Sequence, residues 1–162
     1  MAKAVKWQIS FTTADVLNPT YYRIDIYAEG YTGTPIKLTA GPQPFVTEED
    51  KNTDFFTPIR SQTGTIQVCT KLPSGGQLDL DDLMPSTNLS NPVRVLQYIS
   101  EQWTVVWSGF LSCDMYNQAY TSVPENIDLP VISILEAWKS AYINVNKIET
   151  VLDLIVELFR PL

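Results

Sequence analysis

The stretch "KAVKWQISFTTAD", residues 3–15, alternates apolar and polar side chains along most of its length. Such a period of two is typical of a β-strand with one buried face. After a turn at 18–20, the stretch "YYRIDIYAEGY", residues 21–31, alternates again. The two segments predict an antiparallel hairpin. Its inward face is predicted to carry Val5, Trp7, Ile9 and Phe11, then Tyr22, Ile24, Ile26 and Ala28, and its outward face Lys6, Gln8, Ser10, Tyr21, Arg23, Asp25 and Tyr27.

The next part of the chain predicts shorter strands. Glycine and proline interrupt residues 31–46, which confines any strands there to the edges of a sheet. Residues 47–54, "TEEDKNTD", are polar and acidic and predict a loop. The stretch "TGTIQVCTKL", residues 63–72, predicts a strand with Ile66 and Val68 on one face.

A second hairpin is predicted for residues 91–116, where two apolar, β-branched runs flank "SEQ". Counting along its second strand places Trp103 and Trp107 on the same face. Gly109 predicts a bulge or a close backbone approach. Residues 119–130 predict one more strand.

The period of the apolar pattern changes near the end of the chain. Residues 131–142 and 146–159 repeat apolar positions every three or four residues, which predicts helices. The fold class expected is therefore α+β and β-rich, with antiparallel barrel- or sandwich-like sheets followed by C-terminal helices. We expect a β-rich domain at 1–140. Residues 141–162 would form a helix that packs on it or leads into a downstream region.

The C-terminal helical segment is apolar on more than one face. A normal stripe is formed by Ile148, Val151, Leu152, Ile155 and Phe159. Leu154, Val156 and Leu158 widen it, so this helix is expected to need more than one packing partner. Either a partner subunit or the rest of a longer protein would cover it.

Composition narrows the functional classes. The chain has 162 residues, 44% hydrophobic and 18% charged, which is enough for one domain with a core. The net charge of −7 argues against nucleic-acid binding, because an acidic surface repels phosphates. No membrane span and no signal peptide are visible, and we expect synthesis in the cytoplasm. Cys69 and Cys113 match no zinc spacing and are interpreted as reduced, with a single disulfide as the alternative.

The chain contains no histidine, the commonest general base and a frequent metal ligand. Asp79, Asp81 and Asp82 lack the spacing of a calcium loop, and helix capping explains them equally well. The acidic run at 48–50 does not fix a carboxylate pair for glycosidase chemistry. We therefore predict no catalytic residue, no metal site and no cofactor.

An ordered series of stretches resembles the front region of tail-tip or baseplate-hub proteins from Bacteroides-type phages and prophages. The series is "DFFTPIRSQTGTIQV", "LMPSTNLSNPVRVLQY", "WTVVWSGFLSCDMY" and "YTSVPENIDLPVISILEAWKS", and the resemblance covers roughly residues 20–140. It implies a non-catalytic structural subunit of the virion tail. The partners implied are further copies of the chain, in a ring, and other tail proteins.

The stretch 54–68 suggests where such contacts form. Its apolar residues would anchor a connecting segment in a crevice of the same or a neighbouring chain, and Arg60 would pair with a carboxylate. Thr63 and Gly64 would make the turn into the following strand. The candidate interface residues are Phe55, Phe56, Ile59, Arg60, Leu154, Leu158 and Phe159.

Two other functions remain open at this stage. The chain has 8 tyrosines and 4 tryptophans, and exposed aromatic rings could make it a β-rich carbohydrate-binding module. An enzyme that uses carboxylates is the third hypothesis. Self-association would separate the first hypothesis from the second.

Overall fold

The computed structural model describes residues 3–13, 15, 17–49, 61–79, 83, 90–112 and 126–138. Within these ranges the chain forms eight strands and one short helix. The elements are β1 Lys3–Thr12, β2 Tyr21–Glu29, β3 Ile36–Leu38, β4 Ala40–Glu49, β5 Gln62–Cys69, β6 Pro92–Ile99, β7 Gln102–Leu111, β8 Asn126–Ser133 and α1 Ile134–Trp138.

All eight strands belong to one sheet with the order β3-β1-β2-β6-β7-β8-β5-β4. Neighbouring strands are antiparallel except β1 and β3, which are parallel, so the sheet is mixed. Both predicted hairpins, β1–β2 and β6–β7, are confirmed. The glycine- and proline-containing region forms the two edge strands, β3 and β4, as its composition predicted.

The β-rich fold is confirmed, but in place of the expected antiparallel barrel- or sandwich-like sheets the structure has one open, mixed sheet. The two edge strands nevertheless follow each other in the chain, with only Thr39 between them. Two Cα–Cα steps span at most about 7 Å, so the sheet must curve until its edges nearly meet. A continuous ladder does not close it, because β3 has three residues and Pro42 and Pro44 remove two N–H donors from β4.

The concave face of the curved sheet holds the core. On β1 and β2 the predicted inward residues Trp7, Ile9, Ile24 and Ile26 are buried, which confirms the alternation there. Val5 was also predicted to face inward, but a bulge between Val5 and Trp7 pairs it with Tyr27 on the outward face, so that prediction is wrong. The core cluster also contains Leu38, Ile66, Val68, Leu78, Leu83, Val93, Val95, Leu111, Ile127, Leu129 and Val131. Every strand except β4 thus contributes to this cluster, and Ala40 and Phe45 of β4 pack against it.

Two local predictions around β4 and β5 are wrong. Residues 47–49 were expected in a loop, but they continue β4, with Glu48 opposite Thr63. Gly64 was expected in a turn, but it lies inside β5 between Thr47 and Val131. A Cβ there would lie 2.6 Å from the carbonyl oxygen of Val46, so close packing of backbones accounts for this glycine.

The helix predicted for residues 131–142 begins later, at Ile134, because Val131–Ser133 still pair in β8. Ser133 marks the start of α1, where its Oγ accepts a hydrogen bond from the backbone N–H of Glu136 at 3.3 Å. The second predicted helix, at 146–159, lies outside the described residues, as does the proposed division at 141–162.

Candidate functional site

A β-bulge in the second hairpin decides where its tryptophans point. Val95 pairs with Trp107 and Leu96 with Val105, which leaves Val106 as an extra residue on β7. An extra residue reverses the alternation of side chains. Trp103 and Trp107 therefore lie on opposite faces of the sheet, and the prediction of a shared face is wrong.

The sequence predicted a bulge or a close backbone approach at Gly109, and the structure shows the close approach there. It pairs regularly with Val93 and Ser133. A Cβ at this position would collide with the carbonyl oxygen of Ile132. The close approach is confirmed, and the bulge lies three residues earlier, where the sequence offers no glycine.

The convex face carries an exposed apolar surface around the β6–β7 hairpin. We call Tyr21, Tyr98, Trp103 and Val105 the outer patch; their exposed fractions are 51%, 43%, 39% and 46%. The rings of Tyr98 and Trp103 are in contact, with centroids 5.1 Å apart. Tyr22 of β2 pairs with Gln97 of β6. Because these strands are antiparallel, the preceding residue Tyr21 lies beside Tyr98 and shares its face. The outer patch is thus a contiguous, mainly aromatic surface.

An ion pair between the buried Asp25 and the half-buried Arg23 lies beside the outer patch. Arg23 contacts the ring of Trp103, with its guanidinium carbon 4.8 Å from the ring centroid, and its Nη2 lies 2.9 Å from Oδ2 of Asp25. Gln8 donates from Nε2 to Asp25 Oδ1 at 3.0 Å. Asp25 is only 2% exposed, although the alternation placed it on the solvent side. These hydrogen bonds offset the cost of burying its charge and fix the Arg23 side chain against Trp103.

The concave face opens into a pocket of about 450 Å³ at one end of the core. We call it the mouth pocket; it is lined by Phe11, Tyr22, Phe45, Thr47, Gln62, Val95, Val106 and Trp107. Phe11 stacks on Tyr22 with centroids 5.4 Å apart. Phe45 meets Trp107 edge-on at 5.3 Å. Two aromatic pairs from different strands therefore wall the pocket.

Gln62 is the best-fixed polar group in the mouth pocket. Its Oε1 accepts a hydrogen bond from Trp107 Nε1 at 3.0 Å, and its Nε2 donates to Glu49 Oε1 at 3.3 Å. Its backbone N–H donates to Ser133 Oγ at 3.1 Å. None of the eight lining residues is charged. The pocket thus combines aromatic walls with an oriented amide.

The candidate interface residues predicted from sequence all lie outside the described residues. These are Phe55, Phe56, Ile59, Arg60, Leu154, Leu158 and Phe159. The anchor hypothesis for the 54–68 stretch and the hypothesis of a partner-covered C-terminal helix both stay predictions. The outer patch and the mouth pocket were not identified as sites from sequence. The only signal for them was the abundance of tyrosine and tryptophan.

The residues considered for metal binding or redox chemistry form no site in the described ranges. Those ranges contain no cluster of three or more His, Cys, Asp or Glu side chains that could hold a metal ion. Asp79 is exposed, and Asp81 and Asp82 are not described. Cys69 is a free thiol, whereas Cys113 lies outside the described ranges. In this same part of the chain, no helix has the length and apolarity that crossing a membrane requires.

Comparisons with protein-family models, with curated proteins and with solved structures found no match to this chain.

Proposed function

We propose that this chain is a structural subunit that assembles with copies of itself through protein–protein contacts. Following the sequence resemblance, we assign it to the tail tip or baseplate hub of a phage or prophage, in the virion tail, with other tail proteins as further partners and no catalytic role. The observation that carries the assembly role is the outer patch on the convex face of the sheet.

The chemistry of the outer patch is that of an interface core. Tyrosine, tryptophan and arginine are the residues most enriched among the side chains that dominate binding energy. Here two tyrosines and a tryptophan are exposed together, and Arg23 is held rigidly against Trp103. A pre-ordered surface loses less side-chain entropy when a partner covers it. Contiguous exposed apolar surface of this kind marks interaction sites in soluble proteins.

Charge favours a second copy as the occupant. The convex face presents Arg23 and Arg94 near the outer patch, while the chain as a whole has a net charge of −7. On the outward side of β4, Val46 and Glu48 are both exposed and combine an apolar with an acidic group. A contact between the outer patch of one copy and β4 of the next uses two different surfaces. Such head-to-tail contacts produce rings when the rotation closes.

Solution mass by light scattering tests the proposal. We expect a discrete oligomer for the wild type and a shift towards monomer for Trp103→Ser and for Tyr98→Ser. Leu17→Ser is the matched control, because Leu17 is 89% exposed but does not belong to the outer patch. Circular dichroism checks that each variant is folded. A wild type that stays monomeric at every concentration would refute the assembly role. An oligomer that is unaffected by both patch variants would refute the assigned surface.

A carbohydrate-binding role is the second candidate. One observation favours it: the mouth pocket, with its aromatic walls and fixed amide. It involves Trp107 rather than the exposed Trp103, so the two functions use different faces of the same strand.

A further inference from the structure

We propose that the mouth pocket binds one neutral pyranose sugar. This inference rests on the carbohydrate-binding candidate and names its site and ligand class; it does not depend on the assembly role of the outer patch. Four features support it: the size of the pocket, its aromatic lining, the spare hydrogen-bond donor and acceptor of Gln62, and the absence of charge among the lining residues.

Size and shape suit one sugar ring. A volume of about 450 Å³ lies within the usual range of about 300–1,000 Å³ for small-molecule sites. Phe11 and Tyr22 contribute one pair of rings to the lining from β1 and β2, and Phe45 and Trp107 contribute a second pair from β4 and β7. A pyranose has C–H groups on its faces and hydroxyls around its rim. Aromatic rings in the lining can contact the C–H groups while the hydroxyls at the rim stay hydrated.

The side-chain amide of Gln62 can make further hydrogen bonds to a ligand. A primary amide offers two N–H donors and two lone pairs. Glu49 takes one N–H and Trp107 occupies one lone pair, which leaves one donor and one acceptor. A hydroxyl group both donates and accepts, so it matches this pair of vacant positions. The two existing hydrogen bonds already hold the amide in place, and binding need not order it.

The uncharged lining and the polar amide of Gln62 further limit the class of ligand that the pocket can bind. The lining residues carry no charge, and Glu49, which is hydrogen-bonded to Gln62, is acidic. An anionic sugar such as a uronate would find no cation among these lining residues to pair with its carboxylate. A purely apolar ring would fill the volume but would take water from the Gln62 amide without replacing its hydrogen bonds. A neutral polyhydroxylated ring satisfies both conditions.

Titration followed by the indole N–H signals in ¹H–¹⁵N NMR spectra tests the proposal. The chain has 4 tryptophans, and Trp107→Phe identifies the signal of Trp107. The probes are glucose, galactose, mannose and N-acetylglucosamine, with glucuronate as the anionic and benzene as the purely apolar contrasting ligand. We expect at least one neutral sugar to shift the Trp107 signal saturably. Glucuronate and benzene should bind several-fold more weakly.

Variants locate the site. Gln62→Leu removes the amide and should weaken binding by roughly tenfold, the equivalent of one hydrogen bond. Thr47→Val removes a hydroxyl from an exposed lining position and is a second variant that keeps the test valid if Gln62→Leu fails to fold. Trp103→Phe changes the same strand on the opposite face and should leave sugar affinity unchanged.

Three outcomes would overturn the proposal. The first is that no neutral sugar shifts the Trp107 signal even at concentrations far above the millimolar range. The second is that benzene binds as tightly as the sugars. The third is that Trp103→Phe abolishes binding while Gln62→Leu and Thr47→Val do not. Light scattering on the same samples reports assembly separately, so loss of either function is seen independently of the other.

Discussion

The turn of the β6–β7 hairpin should be a place where the protein can be made more stable. Ser100 and Glu101 form a two-residue loop between the paired residues Ile99 and Gln102. Their φ angles are 49° and 66°, so both adopt the left-handed conformation of a type I′ turn. Asn-Gly is the preferred pair for this turn, because glycine meets no steric penalty there and asparagine meets a reduced one. We therefore expect the double substitution Ser100→Asn/Glu101→Gly to stabilise the fold.

The magnitude follows from two opposing effects. A residue with a Cβ in the left-handed conformation costs about 1–2 kcal/mol, which glycine at position 101 removes. Glycine also increases the entropy of the unfolded chain, which costs about 0.4–1 kcal/mol. The replacement at 101 should then contribute about 0.5–1 kcal/mol and asparagine at 100 a few tenths more. The expected net gain in free energy of unfolding is about 1 kcal/mol, or roughly 2–4 °C in Tm.

Urea unfolding, monitored by circular dichroism, measures this gain. The midpoint should rise while the m-value stays constant, since the surface exposed on unfolding does not change. Gly75→Ala is the matched control, because Gly75 has φ +90° and a Cβ there would have no atom within 4 Å. That substitution should destabilise the fold by about 1 kcal/mol through conformation alone. If the double variant has an unchanged or lower midpoint while Gly75→Ala is neutral, the conformational argument is wrong.

Three further substitutions test contacts described above. Asp25→Ala should lower the free energy of unfolding by about 2 kcal/mol, because it removes the carboxylate that pairs with the guanidinium of Arg23. Adding Arg23→Met to the same chain should recover part of this loss. Chemical unfolding of the two single variants and the double variant measures both effects. Gly109→Ala should cost about 3 kcal/mol, since the new Cβ meets the backbone carbonyl of Ile132, and a small shift in unfolding midpoint would contradict that collision. Ser133→Ala should cost about 1 kcal/mol through loss of its hydrogen bonds at the start of α1, whereas Ser133→Thr should retain most of the stability in the same assay.

Sequence patterns predicted the strands best where one face is buried. On β1 and β2 the alternation identified Trp7, Ile9, Ile24 and Ile26 as core residues, because burial on one side enforces a period of two. Alternation alone predicted an exposed Asp25, but long neighbouring side chains bury this residue on the convex face. The acidic composition around Glu48 predicted a loop, but the backbone of Glu48 pairs with β5 and continues β4. The acidic composition of a segment predicts that its side chains are exposed to solvent. Where a strand ends depends instead on cross-strand hydrogen bonds of the backbone.

The candidate site could not be predicted because it depends on one extra residue. Val106 has the same β-branched character as Val105, and nothing in its type marks a bulge. Counting along β7 therefore placed Trp103 and Trp107 together, when one faces solvent and the other the mouth pocket. The strand order was equally hidden, since pairing of β2 with β6 and β5 with β8 depends on contacts distant in sequence.

The single-residue link between β3 and β4 couples the two margins of the sheet mechanically. Edge strands usually fray first and independently, because each is held on one side only. Here Thr39 joins both edges, and its carbonyl accepts a hydrogen bond from the backbone N–H of Cys69 at 2.9 Å. Pulling either strand away from its neighbour displaces the other through this one residue. The two margins therefore open together, and the amides of β3 and of the start of β4 should exchange with solvent as one cooperative unit.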